Sequence, residues 1–203
     1  MSPVTALGTA SADAGRGPRV PLRERLVQAA LRLFVTQGYQ AVSMRDLARY
    51  LGVQPGSLYY HVQGKEELLV ELLEGTLTEL LHLTRRALRD QASPGAGLPA
   101  FLKTYFDFKA GHEDELRLLA QGIPLLSAEA SADIQALREA YLAELVQVLQ
   151  CLPLDAGAPC DDLARLLLGA LSGQLSWQVP DRELQGFLLQ ALHATSRPRS
   201  SPS

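Results

Sequence analysis

Apolar residues recur every three or four positions along most of the chain between Pro21 and Ala194. This spacing places them on one face of an α-helix. No run alternates apolar and polar residues in the manner of a half-buried β-strand. The pattern therefore predicts an all-α fold of about nine helices, with an N-terminal three-helix module joined to a larger helical body.

Glycine, proline and capping residues predict where these helices begin and end. Gly38 and Gly52 are natural stops at helix C-termini. Ser43 opens a helix because Asp46, three residues later, completes a capping box. Pro55 fits a first helical turn, where its missing N–H is not needed. Loops are predicted at 93–97 and 153–159, and the predicted helices cover about residues 21–37, 43–51, 55–62, 65–90, 98–112, 113–121, 127–151, 161–177 and 181–194.

Composition places the chain among ordinary globular proteins. Of its 203 residues, 47% are apolar and 20% are charged, with a net charge of −3, which excludes disorder of the whole chain. Residues 1–18 and 196–203 are predicted to be disordered tails. No stretch approaches the roughly 18–20 apolar residues of a membrane-spanning helix, and residues 1–18 lack the pattern of an export signal. We therefore expect a cytoplasmic protein without a membrane partner.

The charges are unevenly distributed along the chain. Residues 1–65 hold eight Lys and Arg against three Asp and Glu, whereas residues 66–203 hold 11 against 19. A basic module on an acidic body is typical of a protein whose front end approaches phosphates.

The most informative segment covers residues 47–69. Two short helices joined by a Gly-containing turn and packed on a preceding helix describe a helix-turn-helix, whose second helix can enter a DNA major groove. No acidic residue lies between Asp46 and Glu66 to repel phosphate. Gly56, near the start of the second helix, favours close approach of the backbone to a partner. The outward positions of that helix carry hydrogen-bonding side chains: Gln54, Ser57, Tyr59, Tyr60 and His61.

Several short motifs occur in a fixed order over about residues 21–70. They are Leu33-Phe34, Gly38-Tyr39, Ser43-Met-Arg-Asp-Leu-Ala48, Leu51-Gly-Val53, Ser57-Leu-Tyr-Tyr-His61 and Lys65-Glu-Glu-Leu68. In these motifs the chain resembles the TetR-type bacterial transcriptional regulators. The remaining two thirds resemble that family only in being helical and of suitable length. The resemblance implies a DNA-binding domain over residues 19–66 and an effector-binding and dimerisation domain over residues 67–195.

The resemblance also implies contacts to the phosphate backbone. Ser43 matches a hydroxyl that caps the second helix and touches a phosphate, and Arg45 is placed to add a charge contact. The aromatic pair, the imidazole and the lysine that bear on the backbone in the family correspond here to Tyr59, Tyr60, His61 and Lys65. A tyrosine such as Tyr59 also fits a buried ring with a wet hydroxyl.

Four consecutive residues match the family positions that read base edges or pack on a thymine methyl group. They are Gln54, Pro55, Gly56 and Ser57. Because Pro55 and Gly56 offer no side-chain hydrogen bond, Gln54 and Ser57 are the expected readers of the base sequence.

Signals of catalysis do not occur in the sequence. There is no Gly-rich phosphate loop, no Gly-x-Ser-x-Gly motif and no His/Cys set with metal spacing. The paired Asp161 and Asp162 fit a helix N-terminus, and Cys151 and Cys160 fit two reduced thiols. We expect no enzymatic activity, no cofactor and no metal.

Aromatic residues in the helical body offer a candidate ligand site. Four of them follow one another at offsets of four, three and four, which places them on one helix face. Such a stripe can line an apolar pocket with a few polar groups, but each residue taken singly also fits plain core. The candidate lining consists of Phe101, Tyr105, Phe108 and His112, with Tyr141 and Trp177 from other helices.

The last two predicted helices carry matching apolar stripes. Small residues among them let helices approach closely, and four such helices from two chains can form a bundle across a two-fold axis. A monomer can also bury both stripes on its own core. The predicted dimer interface contains Leu163, Leu166, Leu167, Ala170, Leu171, Leu184, Phe187, Leu188, Ala191 and Leu192.

These features together predict a sequence-specific, homodimeric DNA-binding regulator. We expect a repressor that leaves a palindromic operator when a small apolar or aromatic ligand binds the C-terminal body. The alternative is an all-α ligand-binding or protein-interaction module that retains the fold without operator binding.

Overall fold

The computed structural model describes residues 20–91, 93–152 and 160–173, together with residue 186. In this part of the chain every regular element is helical, which confirms the all-α prediction. Short 3-10 helices occupy Tyr39–Ala41, Pro94–Ala96 and Ile123–Leu125. The α-helices are α1 (Leu22–Gln37), α2 (Met44–Leu51), α3 (Pro55–Tyr59), α4 (Lys65–Arg89), α5 (Gly97–Gly111), α6 (Glu113–Gly122), α7 (Ala128–Gln150) and α8 (Cys160–Leu171).

Two glycines set the turns of the N-terminal module. Gly38 has a φ of 88° and ends α1, and Gly52 has a φ of 68° and ends α2 in the left-handed region. Both conformations favour glycine because it lacks a Cβ atom. The Gly52 turn orients α3 across α2, with Val53 N–H donating to the Ala48 carbonyl at 3.0 Å. The predicted boundaries of α1, α2 and α4 agree with these bounds to within a residue or two.

Three predicted boundaries are wrong. The helix predicted over residues 55–62 ends at Tyr59 as α3. The predicted loop at 93–97 contains a 3-10 turn, closed by the Ala96 N–H donating to the Ser93 carbonyl at 3.1 Å, and Gly97 already belongs to α5. Helix α8 does not continue towards Trp177, because it ends at Leu171 and Gly173 has a left-handed φ of 71°. The predicted tails, the loop at 153–159, Trp177 and the ninth helix, apart from its Gly186, lie outside the described residues.

The core consists of two apolar clusters that meet along α4. The first unites α1–α3 with the first half of α4, as far as Leu77, and also contains Leu118 of α6 and Ile134 of α7. The second packs the rest of α4, from Leu80 onwards, against α5, α7 and α8. The apolar core therefore runs through the predicted domain boundary at residue 66.

The helix directions follow from a few contacts. Glu66 at the start of α4 accepts a hydrogen bond from the Ser127 N–H at 2.8 Å, and Arg85 near its end pairs with Glu144 at 2.6 Å. Helices α4 and α7 therefore run side by side in the same direction. Helix α5 runs the opposite way, because Gly97 at its start lies against Val148 near the end of α7.

Among the helices in the described part of the chain, none is long and apolar enough to cross a lipid bilayer.

Candidate nucleic-acid interface and ligand cavity

The start of α2 is fixed by a complete capping box. The Ser43 hydroxyl accepts from the Asp46 N–H at 3.3 Å, and the Asp46 carboxylate accepts from the Ser43 N–H at 3.0 Å. The Ser43 hydroxyl also donates to the Asp46 carboxylate at 2.5 Å, and this bond, followed by that from the Ser43 N–H, holds the pKa of the Asp46 carboxyl below its usual value. Arg45, the next exposed residue on α2, forms no ion pair within the described part of the chain.

Helix α3 presents its predicted DNA-facing side chains to solvent. Leu58 is fully buried and anchors the helix in the first core cluster, together with Val62 just beyond it. The rings of Tyr59 and Tyr60 are exposed by 57% and 91%. Gln54, Gly56 and His61 are also exposed, whereas Pro55 and Ser57 are half-buried. An aromatic ring as exposed as that of Tyr60 is available to a partner.

Lys65 occupies a place that the sequence did not reveal. Its ammonium group donates to the carbonyl oxygens of Tyr39 at 2.9 Å, Val42 at 3.1 Å and Gln40 at 3.4 Å. It also lies 4.4 Å from the centroid of the Tyr39 ring. An ammonium group has three N–H donors, so all three are directed at this carbonyl site. The predicted phosphate contact of Lys65 competes with these bonds and stays a prediction.

Tyr50 and Arg49 on α2 add to the candidate interface, although sequence reasoning left them out. The Tyr50 ring is 50% exposed, and Arg49 is exposed and pairs with Asp46 at 2.9 Å. The acid-free stretch that follows Asp46 was the signal that could have found both residues.

A cavity of about 800 Å³ lies among α4, α5, α6, α7 and α8, within the usual size range of ligand pockets. Tyr105 and Tyr141 belong to its lining. The Tyr105 hydroxyl donates to the Leu171 carbonyl at 2.8 Å. The Tyr141 hydroxyl and that of neighbouring Thr84 are buried without a hydrogen bond of normal geometry. Burial raises the pKa of Tyr141 well above its ordinary value, against an opposing contribution from Thr84.

The other predicted ligand contacts lie away from the cavity lining. Phe101 is fully buried and packs its ring 5.2 Å from that of Tyr141. Phe108 is buried and stacks on the His112 ring at 4.1 Å, and His112 lies 3.8 Å from Glu79. Phe101 and Phe108 belong to the second core cluster, and His112 is partly buried. Trp177 lies outside the described residues.

Four basic residues of the cavity lining went unnoticed in the sequence. The sequence does contain a pattern that indicates two of them. Lys109 lies one helical turn after Tyr105, and Arg138 lies one helical turn before Tyr141. The basic residues of the lining are Lys109, Arg117, Arg138 and Arg165.

The predicted dimer stripe of α8 is divided between two faces. Leu167 and Leu171 are buried against the chain's own second cluster, so they expose little surface to a partner. Leu166 points outwards with 71% of its surface exposed, and Leu163 and Ala170 are half-buried. The remaining predicted interface residues lie outside the described part: Leu184, Phe187, Leu188, Ala191 and Leu192.

Within residues 20–91, 93–152 and 160–173, no group of three or more His, Cys, Asp or Glu side chains is placed to hold a metal ion. Cys151 and Cys160 are free thiols.

A three-helix module with a capped α2, a glycine turn and an exposed α3 defines a helix-turn-helix regulator. Residues 26–72 match the model of the family "Bacterial regulatory proteins, tetR family". The regulator BetI of Rhizobium meliloti is 30% identical over 148 residues, which cover 73% of this chain and 71% of BetI. The chain therefore belongs to the tetR family, a family of DNA-binding transcriptional regulators rather than enzymes.

Two further comparisons extend this result. The regulator LmrA of Bacillus subtilis is 35% identical over 125 residues, 58% of this chain and 62% of LmrA. The crystal structure of AibR in complex with isovaleryl coenzyme A and operator DNA shares the fold, with a TM-score of 0.75 and 20% identity over 88% of this chain and all of that chain. The chain spans about three fifths of the length of the first relatives that it matches.

Proposed function

We propose that this protein is a homodimeric repressor that binds a palindromic DNA operator and leaves it when a small molecule occupies the cavity. The observation that carries the proposal is the exposed face of α2 and α3. That face presents Gln54, Tyr60 and His61 to solvent, and the sequence has no acidic residue from position 47 to 65. Phosphate contacts position such a module, and base contacts specify its sequence.

Individual roles follow from this face. Gln54 and Ser57 are placed to read bases, with Pro55 and Gly56 beside them allowing close approach of the backbone. The phosphate contacts proposed alongside them are Ser43, Arg45, Tyr59, Tyr60, His61 and Lys65. As a regulator of the chromosome, the protein would act in the bacterial cytoplasm.

The dimer is proposed to form through the outer face of α8. Leu163, Leu166 and Ala170 follow the i, i+3, i+7 spacing that places residues on one helix face. Leu166, exposed by 71%, is the apolar side chain on that face with most area to bury. A two-fold axis through this face would present two copies of α3 to half-sites about 34–36 Å apart.

The small-molecule response is proposed to use the cavity. Its volume of about 800 Å³ and its mixed lining support a ligand site.

Selection from a random DNA library at two salt concentrations tests DNA binding. We expect a palindrome to be enriched, with affinity falling steeply as salt rises. Arg45→Met should lower the slope of log affinity against log salt by about one unit. Arg86→Met, which removes an exposed arginine on α4 outside the interface, is the matched control. Failure to enrich any sequence would favour the module without operator binding.

A further inference from the structure

We infer that the cavity takes an amphipathic anion, an organic acid whose negatively charged head lies at one end and whose apolar body fills the other. This inference rests on the proposed function only in naming the ligand class for the same cavity. Its basis is the formal charge of the cavity lining and the position of the basic side chains relative to the buried tyrosines.

The cavity lining is positively charged. It contains four basic side chains and two carboxylates, Glu113 and Glu139, whereas the whole chain has a net charge of −3. Both carboxylates are already paired: Glu113 lies 3.1 Å from Arg117, and Glu139 lies 3.5 Å from Arg165. The described part of the lining therefore has a formal surplus of two positive charges.

Arg138 is the clearest part of that surplus. Its guanidinium group donates to the side-chain oxygen of Gln135 at 3.2 Å and forms no ion pair within the described part of the chain. A guanidinium group has five N–H donors in a fork that matches a carboxylate or phosphate. Most of these donors remain available to an anion in the cavity.

The basic side chains gather at one end of the cavity. Arg138 precedes Tyr141 by three residues on α7, and Lys109 follows Tyr105 by four on α5. Because these two helices run in opposite directions, both steps lead the same way, towards the first turn of α7. The Arg165–Glu139 pair brings α8 to the same level.

Apolar residues occur along the whole lining, and around Tyr105 and Tyr141 it is apolar, aromatic and deeply buried. Leu80, Tyr105, Tyr141, Leu142 and Leu171 line this part, and each keeps at most 6% of its surface exposed. The hydrogen bond from Tyr105 to the Leu171 carbonyl closes this part. An aliphatic or aromatic body of the ligand would contribute most to the binding free energy here, because buried apolar area is the main source of affinity in such sites.

The cationic end also lies next to the DNA-binding module. Helix α6, which supplies Arg117, packs on α1 as well as on α4. Gly122 at its end comes so close to α4 that a Cβ there would lie 3.2 Å from Leu69 and 3.3 Å from Leu73. A head bound at Arg117 would therefore lie on a helix that packs against both α4 and the DNA-binding module.

Calorimetric titration of the full chain, without DNA, tests the ligand class. Octanoate, 1-octanol and octyltrimethylammonium serve as probes because they share one apolar body and differ in head charge. We expect octanoate to bind about tenfold more tightly than 1-octanol, and the cation most weakly. Raised salt should weaken the binding of octanoate more than that of 1-octanol. Equal affinity for the three probes, tighter binding of the cation, or no measurable octanoate binding would overturn the inference.

Variants then locate the head. Arg138→Gln should lower octanoate affinity about tenfold and leave 1-octanol affinity unchanged. Arg165→Gln is a second test, because it leaves Glu139 unpaired beside the anion and should lower octanoate affinity as well. Arg86→Gln, an exposed arginine outside the lining, is the matched control. The assigned head position would be contradicted if both variants lost octanoate and 1-octanol binding to the same extent. It would also be contradicted if neither variant changed the affinity for either probe.

A separate gel-shift titration distinguishes the two proposals. Selective octanoate binding without any effect on DNA affinity would leave the anion site in place and refute the ligand-controlled repression. Operator binding without octanoate binding would refute the anion site and leave the proposed DNA binding in place.

Discussion

Replacing Lys65 by Met is the sharpest single test of how the N-terminal module is held together. The substitution keeps most of the aliphatic length and removes the charge and all three donors. Three carbonyls of the segment that leads to Ser43 then lose their partner, at donor distances between 2.9 and 3.4 Å. The substitution also removes the cation–π contact between the Lys65 ammonium group and the Tyr39 ring, whose centroid is 4.4 Å away.

The size of the effect follows from these contacts. A hydrogen bond from a charged donor contributes roughly 1.5–3 kcal/mol, and an exposed cation–π contact about 0.5–1 kcal/mol. The site is only partly buried, so water can satisfy the released carbonyls and recover much of the loss. We therefore expect the free energy of unfolding to fall by about 2–3 kcal/mol, which corresponds to a decrease in Tm of roughly 5–10 °C for a chain of this length.

Two measurements separate this structural role from a phosphate contact. In the structural role, thermal unfolding of Lys65→Met shifts to lower temperature, and the salt slope of DNA binding is unchanged. In the phosphate role, Tm is unchanged and the slope falls by about one unit. Arg45→Met is the control, since Arg45 is exposed and has no ion pair in the described part of the chain. An unshifted Tm with a reduced slope for Lys65→Met would refute the structural role of this lysine.

Four further substitutions have defined expected outcomes. Ser43→Ala should lower stability by about 1 kcal/mol through loss of the α2 cap, measured by urea unfolding. Because the folded pKa of Asp46 is depressed, its part in the cap is complete at neutral pH and is lost as pH falls below about 4, so wild type and Ser43→Ala should converge in stability during acid titration. Gln54→Ala should relax preference at one operator position by about 1–3 kcal/mol in a library selection, whereas an equal loss for every sequence would contradict base reading. Leu166→Asp should leave a folded monomer by light scattering, and a dimer would place the interface elsewhere. Tyr105→Phe should lower stability by about 0.5–1.5 kcal/mol, because the Leu171 carbonyl loses its donor, and an unchanged Tm would argue against that bond.

The parts of the fold that the sequence predicted well are those set by local chemistry. The end of α1, the cap of α2 and the turn before α3 depend on Gly38, Ser43, Asp46 and Gly52, each acting within four residues of itself. The surroundings of Lys65 depend on carbonyls 23 to 26 residues away, and no sequence pattern records such a contact. A lysine in the first turn of a helix is unfavourable for the helix dipole, and this was the one local hint that its charge is used elsewhere.

Helix α8 shows a second limit. Its run Leu166-Leu167-Leu168 is apolar all round, so periodicity alone does not decide which face is inside. In the structure Ala164, Leu167 and Leu171 face the core, and Leu166 does not. The choice is made by the neighbouring helices, whose positions depend on the packing of the whole body. The cavity also depends on the packing of the whole body and not on a local pattern, because its lining comes from five helices.

Helix α4 connects the proposed ligand to the proposed DNA contacts. It contributes Leu68 through Leu77 to the cluster that holds α1–α3 in place, and Leu80 onwards to the cluster beside the cavity. Leu77 itself belongs to both the first cluster and the cavity lining. In the proposed response, a ligand that favours a different position of α4 would also shift α3, because both pack in the first cluster. Under the proposed ligand-controlled repression, a preference of about 1–3 kcal/mol for that state would change DNA affinity roughly 5- to 150-fold.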